Sequence, residues 1–286
     1  MDLLVVTVTG VAYAVAVLML VALGLAVIFG MMGVLNLAQG EFLMLGAYTV
    51  LVVASLGGSV WLGIVLAPLV VGVIGLLIER TIIQFLYGRP LDTMLATWGL
   101  SLALVGIVTL IMGPATAGVA TPLSFVSIGA YNVSIYRLVV IGVAVGVLAF
   151  TYVLFNRTRA GVLARATMQN PTMVAAFGVE PRLVYMATFA YGSALAGLAG
   201  AIMAPLTGVV PSLGLAFIAK IFITVIVGGP LILLGTATAA AMLGTAESVV
   251  AYLSTPIYGQ VAMLGLALVV LRLFPDGLSG LWLRRG

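Results

Sequence analysis

Cysteine and histidine are both absent from the 286 residues. There is then no disulfide, no thiol nucleophile, no histidine-based metal site and no imidazole acid–base catalyst. Charge is almost as scarce. Only 6% of residues are Asp, Glu, Lys or Arg, and 64% are hydrophobic, against about 25% charged in an average soluble domain. A soluble core has no room for that much apolar surface, so the chain reads as a polytopic membrane protein. No Walker-type GxxxxGK[ST] occurs, which excludes a P-loop nucleotide site of its own. The formal charge of +4 fits loops enriched in Lys and Arg on the cytoplasmic side rather than nucleic-acid binding. The first residues carry neither a basic run nor a small-residue cleavage site, so they are expected to form a retained spanning helix rather than a removable signal peptide.

What is present is a series of apolar stretches near the ~20 residues that cross a bilayer. Predicted spans are about 8–29, 34–56, 60–87, 93–112, 135–156, 183–205, 214–229, 231–253 and 257–274. The separators are chemical: Gly88–Pro90, Gly113–Pro122, Val209–Gly214 and Gly228–Pro230 combine Pro with Gly. Arg80 and Arg89 flank one connection; Arg157, Arg159, Arg165 and Arg182 occupy another; Arg284 and Arg285 close the chain. The 113–135 connection has no Lys or Arg. Basic loops on the cytoplasmic side put the N-terminus outside and the C-terminus inside. The expectation is an all-α transmembrane helical bundle of eight or nine spans, some short or broken. It forms one permease-like domain over 1–286, with a polar connection at about 157–182 that is too short for a domain of its own.

Polar residues inside such sequence need a reason. "NLAQGE" places Asn36, Gln39 and Glu41 within six positions of the second span. Glu41, Lys220 and Glu247 are the ionisable residues read as intramembrane, each costly to insert by about 2.5–3.5 kcal/mol. Glu41 is either a pathway or gate carboxylate, or a structural one serving N–H groups freed at a helix break beside Gly40. Asn36 and Gln39, three apart, share a face if that segment is helical. Their amides suit urea or an amide as cargo, or interhelical bonding of about 0.6 kcal/mol. Lys220 is expected to snorkel outward, the alternative being a buried pair with Glu41 or Glu247. Trp98 and Glu247 join the candidate pathway residues. The runs Gly192–Ile202 and Gly235–Ala246 are rich in small residues and are expected to pack helices closely. Tyr48, Trp61 and Trp282 are read as interfacial anchors.

The polar connection reads "FNRTRAGVLARATMQNPTMVAAFGVEPRL". Asn170 before Pro171 predicts an N-cap with Pro at the first helical position. Met173, Val174, Ala176 and Phe177 give an apolar face, and Gly178 a C′ residue. Such a helix suits docking into a partner's groove, or lies on headgroups.

Three motifs, in order along the chain, resemble the permease subunits of bacterial ABC importers of the branched-chain amino-acid/urea type. They are "GLAVIFGMMGVLNLAQGEFLMLGAYT", "RATMQNPTMVAAFGV" and the closing "FPDGLSG". The resemblance implies a second homologous permease chain, a periplasmic substrate-binding protein and two cytoplasmic ATPase subunits. ATP and Mg would be bound by those ATPases, with no cofactor in this chain and no chemistry on the cargo. It implies the bacterial inner membrane and contact with lipid but not nucleic acid. Arg165, Gln169, Asn170, Met173, Phe177 and Gly178 would couple to the ATPase. "RPLDTMLATWGLSL", "TMQN" and the Gly228–Thr236 spacing lean toward urea or a short-chain amide, with branched-chain amino acids as the alternative cargo. The sequence departs from the family pattern at Gln39, where His is usual, and at "GGPLILLGT". A stand-alone channel or secondary transporter is the competing class.

Overall fold

A computed structural model describes residues 2–128 and 131–280. The chain order is α1 (Asp2–Met32), α2 (Gln39–Ser55), α3 (Val60–Thr81), α4 (Pro90–Met112), α5 (Ile135–Arg157), α6 (Arg159–Gln169), α7 (Pro171–Ala176), α8 (Pro181–Thr207), α9 (Leu213–Gly228), α10 (Ile232–Leu253) and α11 (Pro256–Leu273). A single 3-10 turn, Ile83–Phe85, follows α3, and two short antiparallel strands, β1 (Phe125–Ile128) and β2 (Tyr131–Ser134), interrupt the 113–135 connection. Among the described residues the remaining regular structure is α-helical.

Among the described residues, seven helices are long and apolar enough to cross a membrane, while α2 and α9 are apolar but shorter. The boundaries follow local chemistry. Pro begins α4, α7, α8 and α11, where its missing N–H costs nothing. Gly33 ends α1 at φ +65°, with its N–H on the Phe29 carbonyl at 2.9 Å. Arg284, Arg285 and Trp282 lie outside the described residues.

The chain divides into two compact units. One comprises residues 24–120 and 149–218. Here α8 packs on both α2 and α3, around a core of Ile28, Val34, Phe42, Val71, Ile78 and Phe189. Phe42 and Phe189 meet edge to face with centroids 5.9 Å apart. The small-residue run of α8 has the packing role its composition implies. A Cβ on Gly200 would fall 1.8 Å from the Leu43 carbonyl oxygen, and one on Gly46 would fall 1.9 Å from that of Gly197. Helices that approach through bare backbone gain dispersion contacts that lipid cannot replace. Tyr48 is buried in this unit, not an interfacial anchor, because α2 is enclosed by its neighbours over much of its length. Trp61, near the start of α3, is exposed.

The other unit comprises residues 1–23, 121–148 and 219–286. In it α10 packs on α11, Gly244 of α10 faces Val15 of α1, and the Arg137 guanidinium lies 5.5 Å from the Tyr13 ring centroid.

Candidate functional site

Between α1 and α2 the chain is irregular from Gly33 to Asn36, and a turn at Leu37–Ala38 leads into Gln39. No break falls inside the second span: α2 runs unbroken from Gln39, five residues later than the predicted 34, and the polar segment is the connection between α1 and α2, which Asn36 builds. Its Oδ1 accepts from the Ala38 N–H at 3.0 Å, and its Nδ2 donates to Gln39 Oε1 at 3.3 Å. An Asn that closes a turn on its own backbone replaces the helical bonds missing there. Asn36 and Gln39 are thus brought together as their spacing implied, but across a turn rather than along a helix.

Helix α4 supplies the second wall. Thr93, Thr97 and Ser101 recur every four residues and are all buried. Thr97 Oγ1 accepts from the Leu37 N–H at 3.1 Å and donates to the Thr93 carbonyl at 2.8 Å. Ser101 Oγ donates to Glu41 Oε1 at 2.9 Å. These hydroxyls escaped the sequence reading because Ser and Thr are common in spanning helices. Their i, i+4, i+8 spacing was the available signal.

Asn36, Gln39 and Glu41 are all 0% exposed. Two of their polar atoms, Gln39 Nε2 and Glu41 Oε2, are buried without a hydrogen-bond partner. They serve different neighbours. Gln39 Nε2 lies 2.6 Å from where a Gly24 Cβ would be, and Glu41 Oε2 lies 2.7 Å from the equivalent point on Gly214. Glu41 Oε1 accepts from Ser101 and Oε2 has no partner, so neither oxygen caps the N–H groups at the start of α2.

Trp98 is not part of this cluster. It is 44% exposed on α4, one residue past Thr97 and therefore turned about 100° away from the buried face. Glu247 belongs to the other unit. It pairs with Lys220, joining α10 to α9, and each side chain is 21% exposed. The pair corrects the expectation that Lys220 snorkels: a carboxylate within reach inside apolar sequence is the better partner. Glu79 was also missed. It is buried near the end of α3 and accepts from the Tyr87 hydroxyl. Burial, with the hydrogen bond to Glu79 next, raises the Tyr87 pKa.

Two motifs read separately in the sequence are joined in this second unit. The Leu278 N–H donates to the Val227 carbonyl at 2.8 Å, and buried Ser279 Oγ donates to that of Gly228 at 2.7 Å while accepting from the Leu231 N–H at 3.0 Å. "FPDGLSG" therefore closes over the "GGPL" break, holding the turn between α9 and α10.

The polar connection is two helices, α6 and α7, broken at Asn170 rather than one. Asn170 Oδ1 accepts from the Met173 N–H at 2.9 Å, Pro171 takes the first helical position, and Gly178 ends the segment at φ +81°. The predicted cap, Pro and C′ residue all stand where expected. Met173 and Phe177 are exposed, Phe177 to 81%, and Gln169 is exposed at the end of α6. Arg165 differs from these. Its Nη1 donates to the Phe155 carbonyl and to Asn156 Oδ1, both at 2.7 Å, which fastens α6 to the end of α5. Gly161 permits that contact, since a Cβ there would lie 2.2 Å from the Phe155 oxygen.

Comparisons with known proteins point the same way as the motifs. The probable branched-chain amino acid transport permease protein LivH of Methanocaldococcus jannaschii is 28% identical over 282 residues, covering 92% of this chain and 88% of that protein. The high-affinity branched-chain amino acid permease protein LivH of Escherichia coli is 28% identical, over 91% of this chain and 90% of its own. The corresponding BraD of Pseudomonas aeruginosa is 28% identical, with 91% of each covered. No solved structure matches the chain. None of these three names carries the lean toward urea or a short amide, and the amino-acid alternative fits them. With the family model for the permease component of branched-chain amino acid transport systems matching residues 7–271, the chain belongs to that permease family.

Proposed function

We propose that the chain is the membrane-embedded permease subunit of an ATP-driven importer whose cargo is a branched-chain amino acid rather than urea or a short amide. It works as one domain in the bacterial inner membrane, with nine crossings, the N-terminus outside and the C-terminus inside. A second permease chain completes the pathway, a periplasmic binding protein delivers cargo, and two cytoplasmic ATPase subunits bind ATP and Mg.

The observation that carries this reading is the α6–α7 connection. Exposed Met173 and Phe177 sit on a helix fixed by its own cap, and Arg165 ties the preceding helix to the end of α5. A partner that pushes on this connection therefore displaces a spanning helix rather than a loose loop. In that role Gln169, Asn170, Met173, Phe177 and Gly178 form or shape the docking face, and Arg165 passes the movement on. The pathway residues in this reading are Asn36, Gln39 and Glu41, with Thr97 and Ser101 beside them. Trp98 and Glu247 are kept as more distant candidates.

The test is reconstitution with the cognate ATPases and binding protein in liposomes. Uptake of labelled leucine that requires ATP is expected, with urea uptake at background. Changing both Met173 and Phe177 to Asp is expected to lower leucine uptake at least ten-fold and to release the ATPase on purification. Both positions are exposed, so stability should stay within about 0.5 kcal/mol. Wild-type uptake with retained ATPase in that double variant would refute the coupling role.

A further inference from the structure

The first turns of two short helices lie in the unit of residues 24–120 and 149–218 and begin at the same place. α2 starts at Gln39 and α9 at Leu213, and their first turns meet backbone to backbone: a Cβ on Gly40 would lie 2.4 Å from the Gly214 carbonyl oxygen, and one on Gly214 would lie 2.4 Å from the Gly40 carbonyl carbon. At 1.5 Å per residue each helix is about 25 Å long, shorter than the ~30 Å hydrocarbon layer. The Gln39 and Glu41 N–H groups of α2 and the Leu213 N–H of α9 already donate to the Asn36, Ala38 and Val210 carbonyls, so the junction offers a ligand the later first-turn N–H groups of α9 and the positive ends of two helix dipoles.

An independent feature marks the same point. Glu41 Oε2 lies beside Gly214, fully buried, and receives no hydrogen bond, although Oε1 of the same carboxyl is held by Ser101. A carboxylate that only neutralised two helix ends would gain by accepting from their N–H groups, as an Asp or Ser cap does. Leaving one oxygen without a donor costs about 1–3 kcal/mol or more. Stability of the closed junction therefore does not account for the placement, whereas a ligand that supplies a donor does.

We propose that the α2–α9 junction is a recognition point for a zwitterionic α-amino acid. The ammonium of the solute donates to Glu41 Oε2, and its carboxylate accepts from first-turn N–H groups of α9. Gly40 and Gly214 leave no side chain between these partners, so parting of the two helix ends uncovers both together. Discontinuous spanning helices present N-termini to anionic groups in the same physical way. The inference rests on the amino-acid cargo argued above and adds the seat and the orientation.

The test is direct binding of labelled leucine to the assembled permease–ATPase complex in nanodiscs without binding protein. Unlabelled leucine, 4-methylpentanoate (no ammonium) and 3-methylbutylamine (no carboxylate) compete. In the wild type, leucine should compete at least ten-fold better than either half-molecule. Glu41→Gln should reduce the preference for leucine over 4-methylpentanoate to two-fold or less, and Glu41→Asp should keep part of it. A merely structural Glu41 would alter yield or total binding but not that ratio. An unchanged ratio in Glu41→Gln, or in Glu41→Asp should Glu41→Gln fail to assemble with unchanged preference in the shorter acid, overturns the seat. Absence of leucine binding to the wild type overturns it too, while the uptake assay reports independently whether the amino-acid reading stands.

Discussion

Glu41 and Glu247 are both carboxylates within apolar helices, and the two units of the chain treat them differently. Glu247 is partly exposed and faces the ammonium of Lys220. Glu41 is fully buried, holds one neutral donor, Ser101, and has one oxygen without a partner. The first arrangement is self-sufficient, since opposite charges offset each other's desolvation and tie α9 to α10. The second is incomplete as it stands. A membrane protein keeps an incomplete polar group where a pathway or partner completes it, which is why the proposed seat is built on Glu41 and not on Glu247.

The largest expected effect tests what holds Glu41 in place. Gly46 and Gly200 bring α2 and α8 into backbone contact, so Gly46→Leu must push the helices apart. Overpacking costs about 1–3 kcal/mol or more, and backbone leaves nowhere for the side chain to go. Loss of folded protein on detergent size-exclusion chromatography is expected. A monodisperse Gly46→Leu variant would mean that the glycine contact does not fix α2.

Breaking the pair in the other unit should cost less. Lys220→Met leaves Glu247 without its cation. Removing one partner of a fully buried pair costs about 3–5 kcal/mol, reduced here by the partial exposure to about 2 kcal/mol. Lys220→Met with Glu247→Met should recover most of that loss in a thermal melt. Failure of the double variant to recover would show that the pair does more than neutralise itself.

The smallest stability change is expected at Glu41 itself. Glu41→Gln keeps the acceptor for Ser101 and removes a charge that has no counter-ion in the hydrogen-bond pattern. Thermal stability should stay within about 0.5 kcal/mol of wild type or rise, in contrast with Lys220→Met. A melt lowered as far as that of Lys220→Met would place both carboxylates in one structural class and erase the distinction.

Much of this was legible in the residues. The scarcity of charge and the Pro–Gly separators placed the helices within a few residues, because the backbone must satisfy itself in lipid and Pro and Gly set where that fails. Asn170, Pro171 and Gly178 located α7, since capping is local chemistry. The fate of Lys220 is not local, because snorkelling or pairing depends on what lies 27 positions away, at Glu247. The four-residue spacing of Thr93, Thr97 and Ser101 marks one helix face in the sequence, but the partners of those hydroxyls, Leu37 and Glu41, lie 60 positions away. The cargo lean toward urea came from short signatures that branches of one family share.

The sequence by itself determined the solvent, the helices, their breaks and the family motifs, because hydropathy and turn chemistry act over a few residues. Only the tertiary structure decided which polar groups meet. It set Ser101 on Glu41, Lys220 on Glu247 and Ser279 over the Gly228 turn, contacts spanning 60, 27 and 51 positions. It also left Glu41 Oε2 beside the joined glycines of α2 and α9. Long-range packing chooses such partners, and no local pattern encodes them.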